Sequence, residues 1–495
     1  MRKGIFSGIF VLLVIELSAQ ASLFPPLEAD ARAGEYARRG KDRPYSWQDL
    51  GEIALWASAV EGPENAGAGS RNRAPFEELL REAAAELRAS PSLPVQPRER
   101  GEFILSFIHQ RFLTSYAEHQ TRVDEIFTTG RYNCVSSAVL YTILALSAGL
   151  NVQGVMTRDH AFVRVDTGSE LIDVETTNPY GFDPGSRREF HDGFGRLTGF
   201  AYVPSRNYRD RTDISVLELV SLILSNRIFE MESRGRYGEA VPLAVNRAAL
   251  LAERRDPVSS PFFPDPQKDM MDRLFNYGAS LVKEGRETDA LLWAAAAGQR
   301  YPDEARWQEF NYAAMNNLLV KLLRSQRIDD ARNELRVNAF RLSPGNFDRL
   351  DALVLDAELV QLVDRAGTAA EVRALLGNLD AVQGRSALPE SRIGELRTVL
   401  LLKEGERLAS ERGFSAAIAY VEEALAAYGD NPRLQNALRV FRSNQVAALH
   451  NSFADLYNQG DYEGARRMIL TALEEFPNDR RLTADYNLVN QALKH

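Results

Sequence analysis

The spacing of apolar and polar residues changes character along the chain. Residues 46–60 and 75–90 repeat their apolar positions at helical intervals, and RGEFILSFIHQRFLTSYAE (100–118) does so again, with Phe103, Leu105 and Phe107 as core candidates. The stretch EGPENAGAGSRNR between the first two reads as a loop. Residues 134–148, CVSSAVLYTILALSA, are small or apolar on every side, the mark of a buried helix; Asn133 can cap its start and Gly149 its end. Three runs with strand character follow, VQGVM (152–156), HAFVRV (160–165) and ELIDVETT (170–177), with a turn around Gly168. A helix followed by antiparallel strands predicts an α+β domain.

From about residue 212 the strand signal vanishes and helical periodicity runs to the C-terminus. A repeat is superimposed on it: a turn residue, an Ala about five positions on, then a Pro that closes the unit. Gly235, Gly285, Gln326, Gly367, Gly413 and Gly460 start successive units, at intervals of 50, 41, 41, 46 and 47 residues. The Ala positions are 240, 290, 331, 417 and 465, and Pro257, Pro302, Pro344, Pro389, Pro432 and Pro477 mark the ends. The unit starting at Gly367 is degenerate. Each unit predicts a helix, a tight turn and a second helix brought close by the small Ala. One such pair cannot bury its apolar face alone, so neighbours must stack.

Composition adds a compartment. Arg2 and Lys3 precede the apolar run IFSGIFVLLVI (5–15), and Ala19-Gln20-Ala21 offers small residues for cleavage after Ala21, the pattern of an export signal. The run is short for a membrane span, and left uncleaved it would act as an anchor. No later segment is apolar enough to cross a bilayer. The expected organisation is a signal peptide (1–21), a polar linker (22–45), an α+β domain with N-terminal helices (46–211) and a helical array (212–495). Net charge is −9 with no basic block, which argues against nucleic acid as a partner.

The chain has one cysteine, Cys134. An exported protein usually spends cysteines on disulfides, and this one has no partner. A thiol nucleophile needs a helix N-terminus and an imidazole to favour its thiolate, and the imidazole needs a third group to orient it. Cys134 opens the predicted helix, His160 begins a strand 26 residues later, and Asp173 and Glu175 lie on the next strand, where alternate residues share a face. One Cys and scattered His do not supply metal-ligand spacing, and no cofactor is expected. Ser136 and Ser137 lack the context of a serine nucleophile. His109, His119, His191 and His450 read as surface or loop residues. Tyr180 and Phe182, in NPYGFDPG (178–185), are candidates to wall a cleft.

GRYNCVSSAVLY, DHAFVRV and LIDVETT together resemble the transglutaminase-like superfamily of papain-type cysteine enzymes, over roughly residues 100–205. That family has a Cys at a helix start, a His-small-aromatic motif on a strand, and an acid before a Thr on the next. The resemblance implies a Cys134 thiolate, His160 as general base and acid, and an acid that orients it. Aligned ungapped, Glu175 takes the third position with Thr177 as the Thr, and Asp173 is the alternative two residues earlier. It also implies an oxyanion held partly by the Cys134 backbone N–H, with Gln120, Gln110 and Asn133 as side-chain candidates. Residues 274–303 and 453–479 resemble tetratricopeptide repeats, although the spacing departs from that family's period of about 34 residues. The fold expected is an α+β transglutaminase-like domain followed by an all-α, tetratricopeptide-like superhelical array. Two functions fit. One is an exported cysteine enzyme that hydrolyses amides or peptides or transfers acyl groups, with the array binding a protein or peptide. The other is a non-catalytic protein-binding scaffold.

Overall fold

The computed structural model describes residues 24–59, 73–184, 211–254 and 263–494. The expected signal peptide, most of the Gly/Asn-rich loop, His191 and Pro257 lie outside them. The chain forms two units, one ending at Trp307 and one starting at Gln308.

In the first unit, the segment expected to be a linker contains helix α1 (Ala31–Asp42). Asp30 caps it, and Ala33, Tyr36 and Ala37 make a narrow buried stripe. Tyr36 meets Trp56 edge to face, 5.5 Å between ring centroids. Charged residues fill the remaining faces, so the average composition hides the stripe. Helices α2 (Trp47–Ala59), α3 (Ala74–Ala89) and α4 (Pro97–Arg111) follow. The amphipathic run 100–118 therefore stops being helical at Arg111. Beyond it, β1 (Ser115–Tyr116) pairs in parallel with β2 (Arg131–Tyr132) across the short helix α5 (Val123–Thr129).

The central helix α6 (Cys134–Ser147) starts where the sequence predicts. The Asn133 side chain accepts from the Ser136 amide, and the Ser136 hydroxyl accepts from the Asn133 amide, both at 3.0 Å. Residues 135 to 145 are all buried, and Gly149, at φ 78°, ends the helix. The sheet beside it is antiparallel, in the order β5 (Leu171–Val174), β4 (Ala161–Asp166), β3 (Asn151–Met156), β6 (Thr212–Ile214). Strand β6 lies past the point where strand signal was expected to end; three residues are too few to carry a period. Helix α7 (Val216–Ser233), capped by Ser215 and Glu218, packs against α2, α6 and β3.

Helices then pair as the repeat predicts. In the first unit α7 pairs with α8 (Tyr237–Leu250), and α9 (Pro266–Lys283) with α10 (Glu287–Arg300). Next come α11 (Arg306–Arg324) and α12 (Ile328–Val337), α13 (Pro344–Arg365) and α14 (Ala369–Val382), α15 (Glu390–Arg412) and α16 (Phe414–Tyr428), then α17 (Pro432–Asn458), α18 (Tyr462–Glu475) and α19 (Arg480–Ala492). The turns at Gly235, Gly285, Gln326, Gly413 and Gly460 all have positive φ. The five matching alanines are fully buried. Pro344 and Pro432 open the next helix, where a missing N–H is harmless. The helical part is thus an all-α array of helix–turn–helix units. Its first two pairs share a compact unit with the sheet, so residue 212 marks a change in secondary structure and the molecule divides about a hundred residues later, at 307/308.

Candidate functional site

Cys134 is the first residue of α6, partly exposed, with its sulfur at the positive end of a capped helix. His160 lies just before β4, and Met156 pairs with Ala161 in the adjoining register, so the β3–β4 turn carries the imidazole over the start of α6. The ring hydrogen-bonds the Cys134 thiol. On its other side, His160 Nε2 lies 2.5 Å from Glu175 Oε2, which leaves Nδ1 for the sulfur. Burial alone would push the imidazole toward its neutral form. The negative charge of Glu175 and the hydrogen bonds to Cys134 and Glu175 outweigh burial and hold its pKa well above the usual value.

Glu175 sits just beyond the end of β5 and is buried. Its second oxygen, Oε1, accepts from the Thr177 hydroxyl (2.7 Å) and amide (3.2 Å). Both oxygens of the carboxylate are therefore engaged, as a buried charge requires. Asp173 is placed elsewhere: it pairs with Arg164, its cross-strand neighbour, at 3.2 Å, and with Arg211. The expectation that Asp173 and Glu175 share one strand face fails because the strand ends at Val174 and the chain turns inward.

The oxyanion candidates are occupied. Both amide hydrogens of Gln120 are donated, to the carbonyls of Arg122 (2.9 Å) and Arg131 (3.0 Å). Asn133 caps α6 and donates to the Glu118 carbonyl at 3.0 Å. Gln110 is exposed on α4. Phe182 is buried against Gly101, and Tyr180 is exposed and away from the cleft, so neither walls it.

Several residues that hold the site carried no local signal. His109, expected at the surface, donates from Nε2 to the Thr176 carbonyl at 3.0 Å and packs edge-on against Tyr132. Burial pushes its pKa down to about 4, so the ring is neutral at ordinary pH. The Tyr132 hydroxyl donates to the Thr177 carbonyl at 3.1 Å, and the Ser137 and Thr176 hydroxyls share a bond of 2.8 Å. The Glu175 amide donates to the Gly181 carbonyl at 2.8 Å. A Cβ on Gly181 would lie 1.9 Å from the Glu175 carbonyl oxygen, so only glycine permits this closure. Of these, Thr177 alone was flagged in the sequence; the others meet across separations such as the 67 residues from His109 to Thr176. His450, read from the sequence as a surface or loop residue, pairs with Asp485 at 2.8 Å within the second unit.

Cys134 and His160 open onto a cleft of about 520 Å³. One wall is a single face of α7, formed by Leu222, Ser225, Asn226, Phe229 and Glu230 at helical spacing. Phe229 presents its ring there with 68% of its surface exposed. Tyr116, Glu118 and His119 also line it. Among the described residues there is no group of His, Cys, Asp and Glu able to hold a metal ion, and no helix long and apolar enough to cross a membrane.

No protein-family model matches the chain, and no curated protein does. Among solved structures, the chain is similar to one described as the crystal structure of menin that reveals the binding site for the Mixed Lineage Leukemia (MLL) protein. Identity is 11%, 84% of this chain and 98% of that one are covered, and the TM-score is 0.29, too low to carry a fold or a function across.

Proposed function

We propose that this is a transglutaminase-like cysteine enzyme acting on amide bonds. The observation that carries the reading is the unbroken hydrogen-bonded chain from the Cys134 thiol through His160 to buried Glu175, at a helix start and open to a cleft. In the proposed reaction His160 takes the thiol proton and the sulfur attacks a carbonyl. The C–N bond then breaks, and His160 returns the proton to the leaving amine. Glu175 holds the ring in one tautomer and balances the imidazolium charge. Water or a second amine completes the cycle from the acyl-enzyme, giving hydrolysis or transfer. The helix–turn–helix array, tetratricopeptide-like in this reading, would supply a surface for a protein or peptide partner. With the export signal expected at residues 1–21, the substrate would lie outside the cytoplasm.

Iodoacetamide titration across pH tests the chemistry without knowledge of the substrate. The imidazolium persists above its ordinary range, and a positive charge beside the sulfur should speed its alkylation at low pH. At about pH 6, Cys134 should alkylate at least tenfold faster than glutathione, and His160→Ala should abolish the difference. Equal rates for Cys134 and glutathione would leave the scaffold reading in possession.

A further inference from the structure

We infer that Tyr116 is the side-chain donor to the oxyanion formed when Cys134 attacks a carbonyl. This rests on the reading of Cys134 and His160 as a nucleophile and its base. A helix start has four amides without intrahelical acceptors. In α6, Asn133 Oδ1 takes the Ser136 amide and the Ser136 hydroxyl takes that of Asn133. The amides of Cys134 and Val135 remain to face the cleft. An oxyanion that accepts from one or both still has room for a side-chain donor, and Gln120 and Asn133 are spent elsewhere.

Tyr116 has what they lack. It lines the cleft beside Cys134, and its hydroxyl has no hydrogen-bond partner among the described residues. Its position is fixed. It lies opposite Tyr132 in the β1–β2 pair, two residues before the nucleophile, and the Ala117 amide ties the strand to the Tyr132 carbonyl at 2.7 Å. The two rings meet edge to face at 6.0 Å. Burial, together with the negative charges of Cys134, Glu118 and Glu175, raises its phenol pKa, so the hydroxyl keeps its proton for donation. In the step itself the thiolate pair forms the C–S bond and the carbonyl π pair moves to oxygen. The Tyr116 O–H and the helix amides then bind that oxygen. As the pair returns, the C–N or C–O bond breaks, and the leaving group takes its proton from His160.

Tyr116→Phe keeps the ring against Tyr132 and removes the donor. Two reagents separate the roles: iodoacetamide loses iodide at a saturated carbon and forms no oxyanion, whereas p-nitrophenyl acetate acylates through one. In the full-length protein, with Cys134→Ala as background, Tyr116→Phe should alkylate at the wild-type rate, which also shows that it folds. Its acylation should be roughly 10²-fold slower, the usual cost of losing one such donor. Equal acylation rates in variant and wild type overturn the assignment. So does a wild-type thiolate that alkylates readily but is never acylated, since no oxyanion is then being held. Failure of the wild type to alkylate at low pH would instead sink the underlying thiol–imidazole reading.

Discussion

Glu175 divides its two oxygens between tasks, one on His160 and the other on Thr177. The division predicts an asymmetry between neighbouring acids. Glu175→Gln removes the charge that sustains the imidazolium, so the ring loses its proton at lower pH and the sulfur loses the cation beside it. Alkylation of Cys134 at about pH 6 should drop roughly 10- to 100-fold. Asp173→Asn disturbs the pairs with Arg164 and Arg211 and not the bonds of Glu175 to His160 and Thr177, and should leave the rate within about threefold. Much of this was legible in the chain. Cys134 after a capping Asn, His160 at a strand start and an acid before a Thr are local patterns. The choice of Glu175 was readable only by alignment, because it depends on where β5 stops. The partners of Gln120 and Asn133 were not readable, because a side chain's hydrogen bonds are settled by the turn that surrounds it.

At the level of elements, the loop from Glu175 to Phe182 is the part most sensitive to change. It leaves the sheet, crosses beneath the site and returns to bridge Val174 with Phe182. His109, Tyr132 and Ser137 anchor it from three different elements. Gly181→Ala puts a methyl group where the Glu175 carbonyl lies, and no rotamer change can relieve a clash with backbone. The expected cost is about 1–3 kcal/mol, seen as a lower Tm, together with slower low-pH alkylation as Glu175 shifts. Unchanged Tm and reactivity would mean the loop does not need its close approach. Element boundaries followed local chemistry where caps were present, as at both ends of α6. They were missed where the signal was thin: α1 shows only Ala33, Tyr36 and Ala37 to the core, and β6 is three residues long.

For the whole molecule, the consequential fact is that the helices after residue 212 do not all belong apart from the sheet. Leu217, Leu219, Val220, Leu222, Ile223 and Leu224 of α7 are buried in the first unit. At about 1.5 kcal/mol or more each, their burial is comparable to the whole stability margin of a domain. A fragment of residues 24–211 should therefore be insoluble or lack fixed tertiary structure, whereas residues 24–307 should fold and retain low-pH alkylation of Cys134. Near-ultraviolet circular dichroism and alkylation of the two fragments decide this, and a well-folded shorter fragment would refute the division. The sequence could show the repeat but not this allegiance, because α7 carries the array's periodicity while burying its apolar side against α2, α6 and β3.

That double allegiance bears on selectivity. One side of α7 is embedded in the interior and the other faces the sulfur, so the gap between Phe229 and Cys134 behaves as a fixed gauge and not as a jaw. On the reading of Cys134 as a nucleophile, a substrate would be selected by whether its side chain fits the bore between Phe229 and the sulfur. Trimming that one aromatic ring would widen the bore and admit bulkier guests, while the reacting groups stayed as they are.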